Sequence, residues 1–315
     1  MARAFIFPGQ GSQAVGMGKA LAEAFPQARA VLDEVDDALS QKLSTLMAEG
    51  PMEELTLTAN AQPALMAASL AAIRVLEAEA GLDLGRHAAF VAGHSLGEYS
   101  ALAAAGTLSI GDAARLLRVR GNAMQGATPV GTGAMAALLG LELEAAREVA
   151  REAAAGEVCD VANDNGGAQV VVSGHKAAVE RAVALAPGRG AKRAVMLAVS
   201  APFHCALMAP AADAMREALA GVALRAPAVP VVANVEAAPL TDPDAIRDAL
   251  VRQVTGTVRW RESVAFMAGQ GVDAFVEVGA GKVLTGLVKR IAAGAGAAAI
   301  GTPDDVAAFK ATLTA

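Results

Sequence analysis

A serine between two glycines is the residue in this chain best suited to chemistry. Ser95 stands in a G-x-S-x-G pattern at residues 93–97, directly after an apolar run at 87–92. This spacing is typical of a nucleophile elbow, a tight strand-to-helix turn that needs flanking glycines and exposes the serine hydroxyl. The free N–H groups of the following helix would face negative charge forming beside Ser95. The pattern predicts acyl chemistry, although a glycine-rich turn with a capping serine would read the same way.

A serine hydroxyl reacts only when a base takes its proton, and the chain has four histidines. His204 is the favoured base because it follows a predicted small domain, and sites tend to lie at the seam between domains. His94 adjoins the serine, but neighbouring side chains on a sharp turn diverge, so we expect His94 to orient a substrate group. The alternative for His204 is a structural histidine at the junction.

The third member of a catalytic triad is not evident from the residue types. No acidic residue between Ser95 and His204 stands out as the third member, since we expect Asp112 and the glutamates of the predicted helices to be exposed to solvent. A backbone carbonyl of Gln253 or a neighbour could hold the imidazole N–H instead. The two cysteines have no metal-ligand spacing, so we expect no metal site.

Arg120 lies among apolar neighbours on the later turns of a helix predicted at 110–124. A guanidinium near Ser95 would bind a substrate carboxylate in fork geometry. Each such charged hydrogen bond contributes about 1.5–3 kcal/mol, enough to select acids over neutral acyl groups. The alternative is an arginine that closes its helix and is favoured there by the helix dipole.

The Gly-rich loop at residues 9–14 follows the first predicted strand. Its loose dinucleotide fingerprint lacks an acidic residue at the end of a second strand, because the acids at 33–37 lie in a helical stretch. We therefore discount nucleotide binding. Backbone N–H groups of such a loop can instead stabilise an oxyanion.

Alternating strand-like and helical runs predict an α/β fold that positions these residues. After a Gly- and Pro-rich linker at 126–133, the order over 134–199 is βαββαβ, a split ferredoxin-like unit. We expect a catalytic subdomain formed by residues 1–128 and 200–315 and a small subdomain at 129–199. The main predicted strands are at 4–7, 88–92, 230–233, 274–278 and 297–300, and the main helices at 61–80 (with Pro63 in its first turn), 96–105, 110–124 and 283–291.

Composition excludes several classes of protein. The longest uncharged stretch, 121–141, holds five glycines and Pro129, so we expect no membrane-spanning helix. The N-terminus lacks an export segment, which predicts a cytoplasmic location. A net charge of −6 with no basic run disfavours nucleic-acid binding.

Six motifs, in this order, resemble the malonyl-CoA:acyl carrier protein transacylases of bacterial fatty-acid synthesis. They resemble the acyltransferase domains of polyketide synthases more loosely. The motifs lie at residues 7–13, 62–65, 93–98, 120–125, 200–204 and 277–284. The last motif usually has proline where Ala280 stands, a departure that we expect to affect only a turn.

The resemblance implies a hydrolase-like core with a mainly parallel sheet and an inserted ferredoxin-like subdomain. It implies that Ser95 is the nucleophile, that His204 is the base oriented by the Gln253 carbonyl, and that Arg120 holds the malonyl carboxylate. The backbone N–H groups of Gln10 and Leu96 would form the oxyanion hole. Substrate-binding positions implied in the same way are His94, Asn163, Phe203 and Gln62. Phe203 would crowd an α-substituent, which favours malonyl over methylmalonyl groups.

The partners implied are malonyl-CoA as substrate and acyl carrier protein as acceptor, supplying fatty-acid elongation. We expect no bound cofactor, no nucleic acid, no membrane contact and a monomer. Three alternatives remain open: a serine esterase or thioesterase of similar fold, an acyltransferase serving a polyketide pathway, and a non-catalytic acyl-binding scaffold.

Overall fold

A computed structural model describes residues 2–313 and contains two β-sheets with helices around them. The strands are Arg3–Phe7 (β1), Phe90–Gly93 (β2), Gly133–Leu139 (β3), Cys159–Asp164 (β4), Gln169–His175 (β5), Arg193–Met196 (β6), Val231–Ala233 (β7), Ala238–Leu240 (β8), Ala274–Val278 (β9) and Gly296–Ile300 (β10). The α-helices are Lys19–Ala24 (α1), Pro26–Leu39 (α2), Leu43–Glu49 (α3), Met52–Thr56 (α4), Thr58–Ala80 (α5), Leu84–His87 (α6), Gly97–Ala104 (α7), Ile110–Gly126 (α8), Leu143–Ala154 (α9), Lys176–Leu185 (α10), Ala209–Ala220 (α11), Pro243–Gln253 (α12), Trp260–Gly269 (α13), Val283–Ile291 (α14) and Pro303–Leu313 (α15).

The larger sheet is mainly parallel and has the strand order β10-β9-β1-β2-β7-β8. Only the edge pair of β7 and β8 is antiparallel. The central strand β1 is a continuous apolar run that is buried from Ala4 to Phe7, as expected for a parallel strand covered on both faces. The α/β prediction is confirmed. The carboxyl ends of β1, β2 and β7 lie side by side, so the loops that follow them meet at one edge of the sheet.

The smaller sheet is antiparallel, with the order β4-β5-β3-β6. Helices α9 and α10 pack on it around a separate cluster of small and branched apolar side chains that includes Val149, Val172 and Val179. The far end of β4 joins the larger unit, because the Val258 N–H donates to the Ala162 carbonyl at 2.8 Å and the Asp164 N–H donates to the Val258 carbonyl at 3.0 Å. The division of the chain at 129–199 stays a prediction.

Two helix predictions were wrong in detail. Helix α5 begins at Thr58, because the Leu57 carbonyl already accepts the N–H groups of Asn60 and Ala61, so Pro63 lies inside the helix. Helix α8 continues to Gly126, so Arg120 is an interior position and does not close it. The short strand β8 and the helices α1, α3, α4 and α6 were not predicted, since each has seven residues or fewer and little periodicity. The longer helices α11, α12, α13 and α15 were not predicted either.

Within residues 2–313, no helix combines the length and the apolar character that crossing a bilayer requires.

Candidate active site

Ser95 occupies a strained turn between β2 and α7. Its φ is +53°, in the left-handed region. A Cβ on Gly93 would lie 1.9 Å from the Gly97 carbonyl, and a Cβ on Gly97 would lie 2.3 Å from the Phe7 carbonyl oxygen. Both flanking residues must therefore be glycine for β1, β2 and α7 to approach this closely. The turn has the geometry that the G-x-S-x-G pattern predicts.

His204 contacts the serine directly. Its Nε2 lies 2.7 Å from Ser95 Oγ, and its Nδ1 lies 2.9 Å from the Gln253 carbonyl oxygen. Gln253 is the last residue of α12, so its carbonyl has no partner within the helix and can accept the imidazole N–H. This contact fixes the tautomer with an unprotonated Nε2, which can accept the serine proton. Burial, followed by the charge of Arg120, lowers the pKa of His204 to about 3, so the ring is neutral.

The guanidinium of Arg120 is buried beside the same hydroxyl. Its Nη2 donates to Ser95 Oγ at 3.2 Å and to Gln253 Oε1 at 2.8 Å, while Nη1 donates to Gln62 Oε1 at 2.8 Å. Burial lowers the pKa of Arg120 from its usual high value. All three partners are neutral oxygens, so the positive charge has no carboxylate in direct contact. A buried cation in this state is suited to receive an anionic ligand.

The backbone N–H groups of Gln10 and Leu96 have no acceptor among the described residues. Leu96 precedes the first turn of α7, and Gln10 follows β1 in the adjacent loop. Both residues line the cavity that contains Ser95. In contrast, the N–H of Ser95 itself donates to Asn234 Oδ1 at 2.7 Å. Two free donors beside a nucleophile are what an oxyanion hole requires.

The cavity over Ser95 has a volume of about 340 Å³ and lies between the two sheets. Phe203 lies in its wall, and Met135 from β3 and Asn163 from β4 contribute from the smaller sheet. The wall contains nine of the ten predicted site residues: Ser95, His204, Gln10, Leu96, Arg120, His94, Asn163, Phe203 and Gln62. The tenth, Gln253, lies behind the wall and contacts three of them.

His94 lies between the elbow and the end of β4. Its Nε2 is 2.8 Å from Asn165 Oδ1, so the asparagine that it contacts is Asn165 and not Asn163. Its ring packs against Trp260 with centroids 5.6 Å apart. Burial lowers the pKa of His94, which leaves a neutral ring that donates to Asn165.

Two residues behind the serine were not identified as site residues from the sequence. Asn234 follows β7 directly, and its side chain accepts from the Ser95 N–H and donates to the Gly93 carbonyl at 2.7 Å. Glu98 accepts from the Asn234 N–H and from Gln253 Nε2, each at 2.9 Å. Burial raises the pKa of Glu98 to about 7. Glu98 could have been identified as a site residue from its position in the 93–98 motif. Asn234 could be identified only by knowing that β7 pairs with β2.

Taken together, the site contains a serine hydroxyl in contact with a neutral imidazole, two free N–H donors and a buried guanidinium. This set can form and resolve an ester at Ser95 and can bind an acyl group that carries a carboxylate. No cluster of potential metal ligands occurs among residues 2–313.

Comparisons with known proteins agree with this chemistry. The family model described as the acyl transferase domain matches residues 4–307. The chain is 50% identical over 305 residues to the malonyl CoA-acyl carrier protein transacylase of Escherichia coli strain K12, with 97% of each chain covered. It matches the crystal structure of an acyl-carrier-protein-S-malonyltransferase from Bartonella henselae with a TM-score of 0.98 and 56% identity over all of both chains. It also matches a malonyl-transacylase solved in complex with its type II PKS acyl-carrier protein, with a TM-score of 0.95, 45% identity, and 99% of this chain and 100% of that one covered.

Proposed function

The chain belongs to the acyl transferase family, among the malonyl CoA-acyl carrier protein transacylases, and we propose that it transfers malonyl groups from malonyl-CoA to acyl carrier protein. The acceptor atom is the phosphopantetheine thiol of the carrier. The reaction proceeds in two half-reactions through a malonyl ester of Ser95 and supplies fatty-acid elongation.

In the first half-reaction, His204 Nε2 takes the Ser95 proton while Ser95 Oγ attacks the thioester carbonyl. The carbonyl oxygen becomes negative and accepts hydrogen bonds from the Gln10 and Leu96 N–H groups. The C–S bond then breaks, the malonyl group remains on Ser95, and the coenzyme A sulfur leaves with the proton held by His204. The contact from His204 Nδ1 to the Gln253 carbonyl keeps the ring aligned through both proton transfers.

In the second half-reaction, the carrier thiol occupies the position that coenzyme A has left. His204 Nε2 takes the thiol proton, and the sulfur attacks the ester carbonyl. The same two N–H groups stabilise the intermediate. The C–O bond breaks, Ser95 Oγ regains the proton from His204, and the malonyl group leaves as a thioester of the carrier.

The observation that carries the proposal is the position of Arg120 beside Ser95 Oγ, at 3.2 Å, with only neutral partners. A malonyl group on Ser95 places a carboxylate two carbons from the ester oxygen, within reach of this guanidinium. Phe203 in the cavity wall restricts space beside the acyl chain, which supports malonyl over α-substituted groups. His94, Asn163 and Gln62 complete the proposed substrate contacts.

Intact-mass analysis after mixing with malonyl-CoA tests the function. We expect the protein to gain the mass of one malonyl group, the Ser95→Ala variant to gain none, and the gain to disappear when acyl carrier protein bearing its thiol is added. Rapid release of free malonate without a thiol acceptor would instead identify a thioesterase. A wild-type protein that gains no mass would be a non-catalytic acyl-binding protein.

We also propose the finer description of the fold and its setting. The strand order β4-β5-β3-β6, formed by a βαββαβ succession, supports a ferredoxin-like subdomain at 129–199. A hydrolase-like core formed by residues 1–128 and 200–315 is supported by the strand–elbow–helix at Ser95. The protein acts as a cytoplasmic monomer with no bound cofactor.

A further inference from the structure

Glu98 is a buried carboxyl group that takes no part in the steps above. It lies on α7, three residues beyond Ser95, and is 2% exposed. Its Oε2 accepts two hydrogen bonds at 2.9 Å, one from the backbone N–H of Asn234 and one from the side-chain Nε2 of Gln253. A buried carboxyl group outside any ion pair is costly, so its position requires a physical reason.

The two partners of Glu98 hold the nucleophile from opposite sides. Asn234 Oδ1 accepts from the Ser95 N–H at 2.7 Å, and Gln253 Nε2 donates to the Ser95 carbonyl at 3.0 Å. Both peptide groups of the strained serine are therefore fixed by residues that contact Glu98.

The Gln253 side chain also reaches Arg120, since its Oε1 accepts from the guanidinium at 2.8 Å. The oxygen of this amide faces only a hydrogen-bond donor, and its NH₂ group faces only acceptors. The oxygen faces Arg120, which can only donate. The NH₂ faces the Ser95 carbonyl and Glu98 Oε2, both of which accept. Rotation of this amide by 180° would place donor against donor and acceptor against acceptor.

We propose that Glu98 is a positioning residue, whose acceptor oxygen holds the Gln253 amide in the orientation that fixes both Ser95 and Arg120. This inference rests on the proposed function, because Arg120 matters most when the acyl group carries a carboxylate. Glu98 acts through an acceptor oxygen held at hydrogen-bond distance from the Gln253 amide, and not through a charge in contact with Arg120.

Two substitutions of Glu98 separate the effect of the position of its acceptor oxygen from the effect of its negative charge. Glu98→Gln removes the charge but keeps an oxygen at the same distance, and the Asn234 N–H would turn that oxygen toward itself and Gln253. Glu98→Asp keeps the charge but withdraws the oxygen by one methylene group, out of hydrogen-bond range. Both variants retain most of the buried volume, so we expect both to fold.

The measurements are the rates of Ser95 acylation by malonyl-CoA and by acetyl-CoA, followed by intact mass. We expect Glu98→Gln to stay within about fivefold of the wild type, with the ratio of the malonyl to the acetyl rate unchanged. We expect Glu98→Asp to lower the malonyl rate at least about 20-fold and to lower that ratio, because Arg120 loses an anchoring partner.

Glu277 provides a matched control. It is another buried glutamate, 1% exposed, and its carboxylate accepts the backbone N–H groups of Leu284 and Thr285 at the start of α14. We expect Glu277→Asp to lower the melting temperature without changing the malonyl-to-acetyl ratio, which shows what a purely structural loss looks like.

The inference is overturned if Glu98→Asp keeps both the wild-type rate and the wild-type ratio, or if Glu98→Gln loses more than Glu98→Asp. A wild-type protein that is not acylated by malonyl-CoA contradicts the proposed function instead, and this distinguishes the two failures.

Discussion

At the scale of single residues, we propose that Arg120 sets acyl selectivity, because its hydrogen-bond partners are all neutral. The guanidinium is held by Gln62, Gln253 and Ser95, none of which cancels its charge. A carboxylate entering the cavity would be its first anionic contact.

We expect Arg120→Ala to lower the rate of acylation by malonyl-CoA at least about 100-fold, since it removes charged hydrogen bonds of about 1.5–3 kcal/mol each. The rate with acetyl-CoA should fall less than about tenfold, because that acyl group makes no such bonds. Arg118→Ala is the matched control: Arg118 is on the same helix but contacts Gln41 and Asn60. Equal losses with both thioesters would contradict a carboxylate-binding role.

The second prediction at this scale concerns pH. His204 must be neutral to take a proton, and burial lowers its pKa to about 3 from the ordinary 6.5. Because the pKa is lowered, the neutral form persists as the pH falls through 6.5 and is lost only as the pH approaches the lowered value. His204 should therefore contribute no step at pH 6.5 to the acylation rate in single-turnover measurements between pH 8 and 5.

Glu98 also titrates within that range, since burial raises its pKa to about 7. A parallel series in the Glu98→Gln variant removes this group from the profile. A step at pH 6.5 that persists in the variant would show that His204 is not protected from protonation.

The side chains that contact Ser95 Oγ were predictable from their residue types, whereas most of the residues that support them were not. The nearest neighbours of Ser95 include His204 and Arg120, both chosen for their chemistry, and their roles stay predictions. Asn234 and Asn165 were missed because their contacts depend on strand pairing and on the end of β4, which residue types do not encode.

At the scale of secondary-structure elements, the close approach of β1, β2 and α7 defines the elbow. A Cβ on Gly97 would lie 2.3 Å from the Phe7 carbonyl oxygen and 2.9 Å from the Pro8 carbonyl oxygen. Both are backbone atoms, which cannot move aside as a flexible side chain can.

We expect Gly97→Ala to lower the free energy of unfolding by about 1–3 kcal/mol or more through overpacking, and to abolish acylation of Ser95. Gly286→Ala is the control, because Gly286 lies within α14 and a Cβ there meets nothing within 4 Å. That variant should raise the free energy of unfolding by about 0.5–1 kcal/mol, the usual gain for alanine over glycine in a helix. Denaturant unfolding measures both, and a Gly97→Ala protein that remains fully reactive would contradict the steric argument.

The elements themselves were predictable where their hydrophobic period was strong. Strand β9 and helix α14 have the predicted bounds, and β1 differs by one residue. Helix α5 begins earlier than predicted because the Leu57 carbonyl accepts the N–H groups of Asn60 and Ala61, which starts the helix before Pro63.

At the scale of the whole molecule, the chain has a net charge of −6, and we propose that an acidic carrier docks on exposed basic residues beside the cavity. Lys192 and Arg193 are exposed at the start of β6, a few residues before the cavity wall at Leu197. In the part of the chain that the structure describes, neither forms an ion pair. Arg189 nearby is already paired with Glu148 and Glu152.

Charge reversal at the unpaired positions should therefore weaken carrier docking. We expect Lys192→Glu with Arg193→Glu to raise the KM for acyl carrier protein at least about fivefold, through lost electrostatic complementarity, and to leave the KM for malonyl-CoA within about twofold. Steady-state kinetics with each substrate varied in turn measure both constants. Arg189→Glu serves as the comparison, and an effect of that variant equal to the double reversal would argue against a local docking surface.

The Arg120 guanidinium in the cavity has no carboxylate in direct contact, so occupancy of the site by an anionic acyl group should change the stability of the fold. Without an acyl group on Ser95, the Arg120 guanidinium donates only to neutral oxygens, and a malonyl ester would bring a carboxylate into direct contact with it. The ester stays on the chain after unfolding, but its carboxylate can contact Arg120 only in the native state, so this contact should raise the free energy of unfolding. The malonylated protein should therefore have a higher melting temperature and a slower rate of proteolysis than the unmodified protein. Each catalytic cycle would then pass through an intermediate that is more stable than the free enzyme.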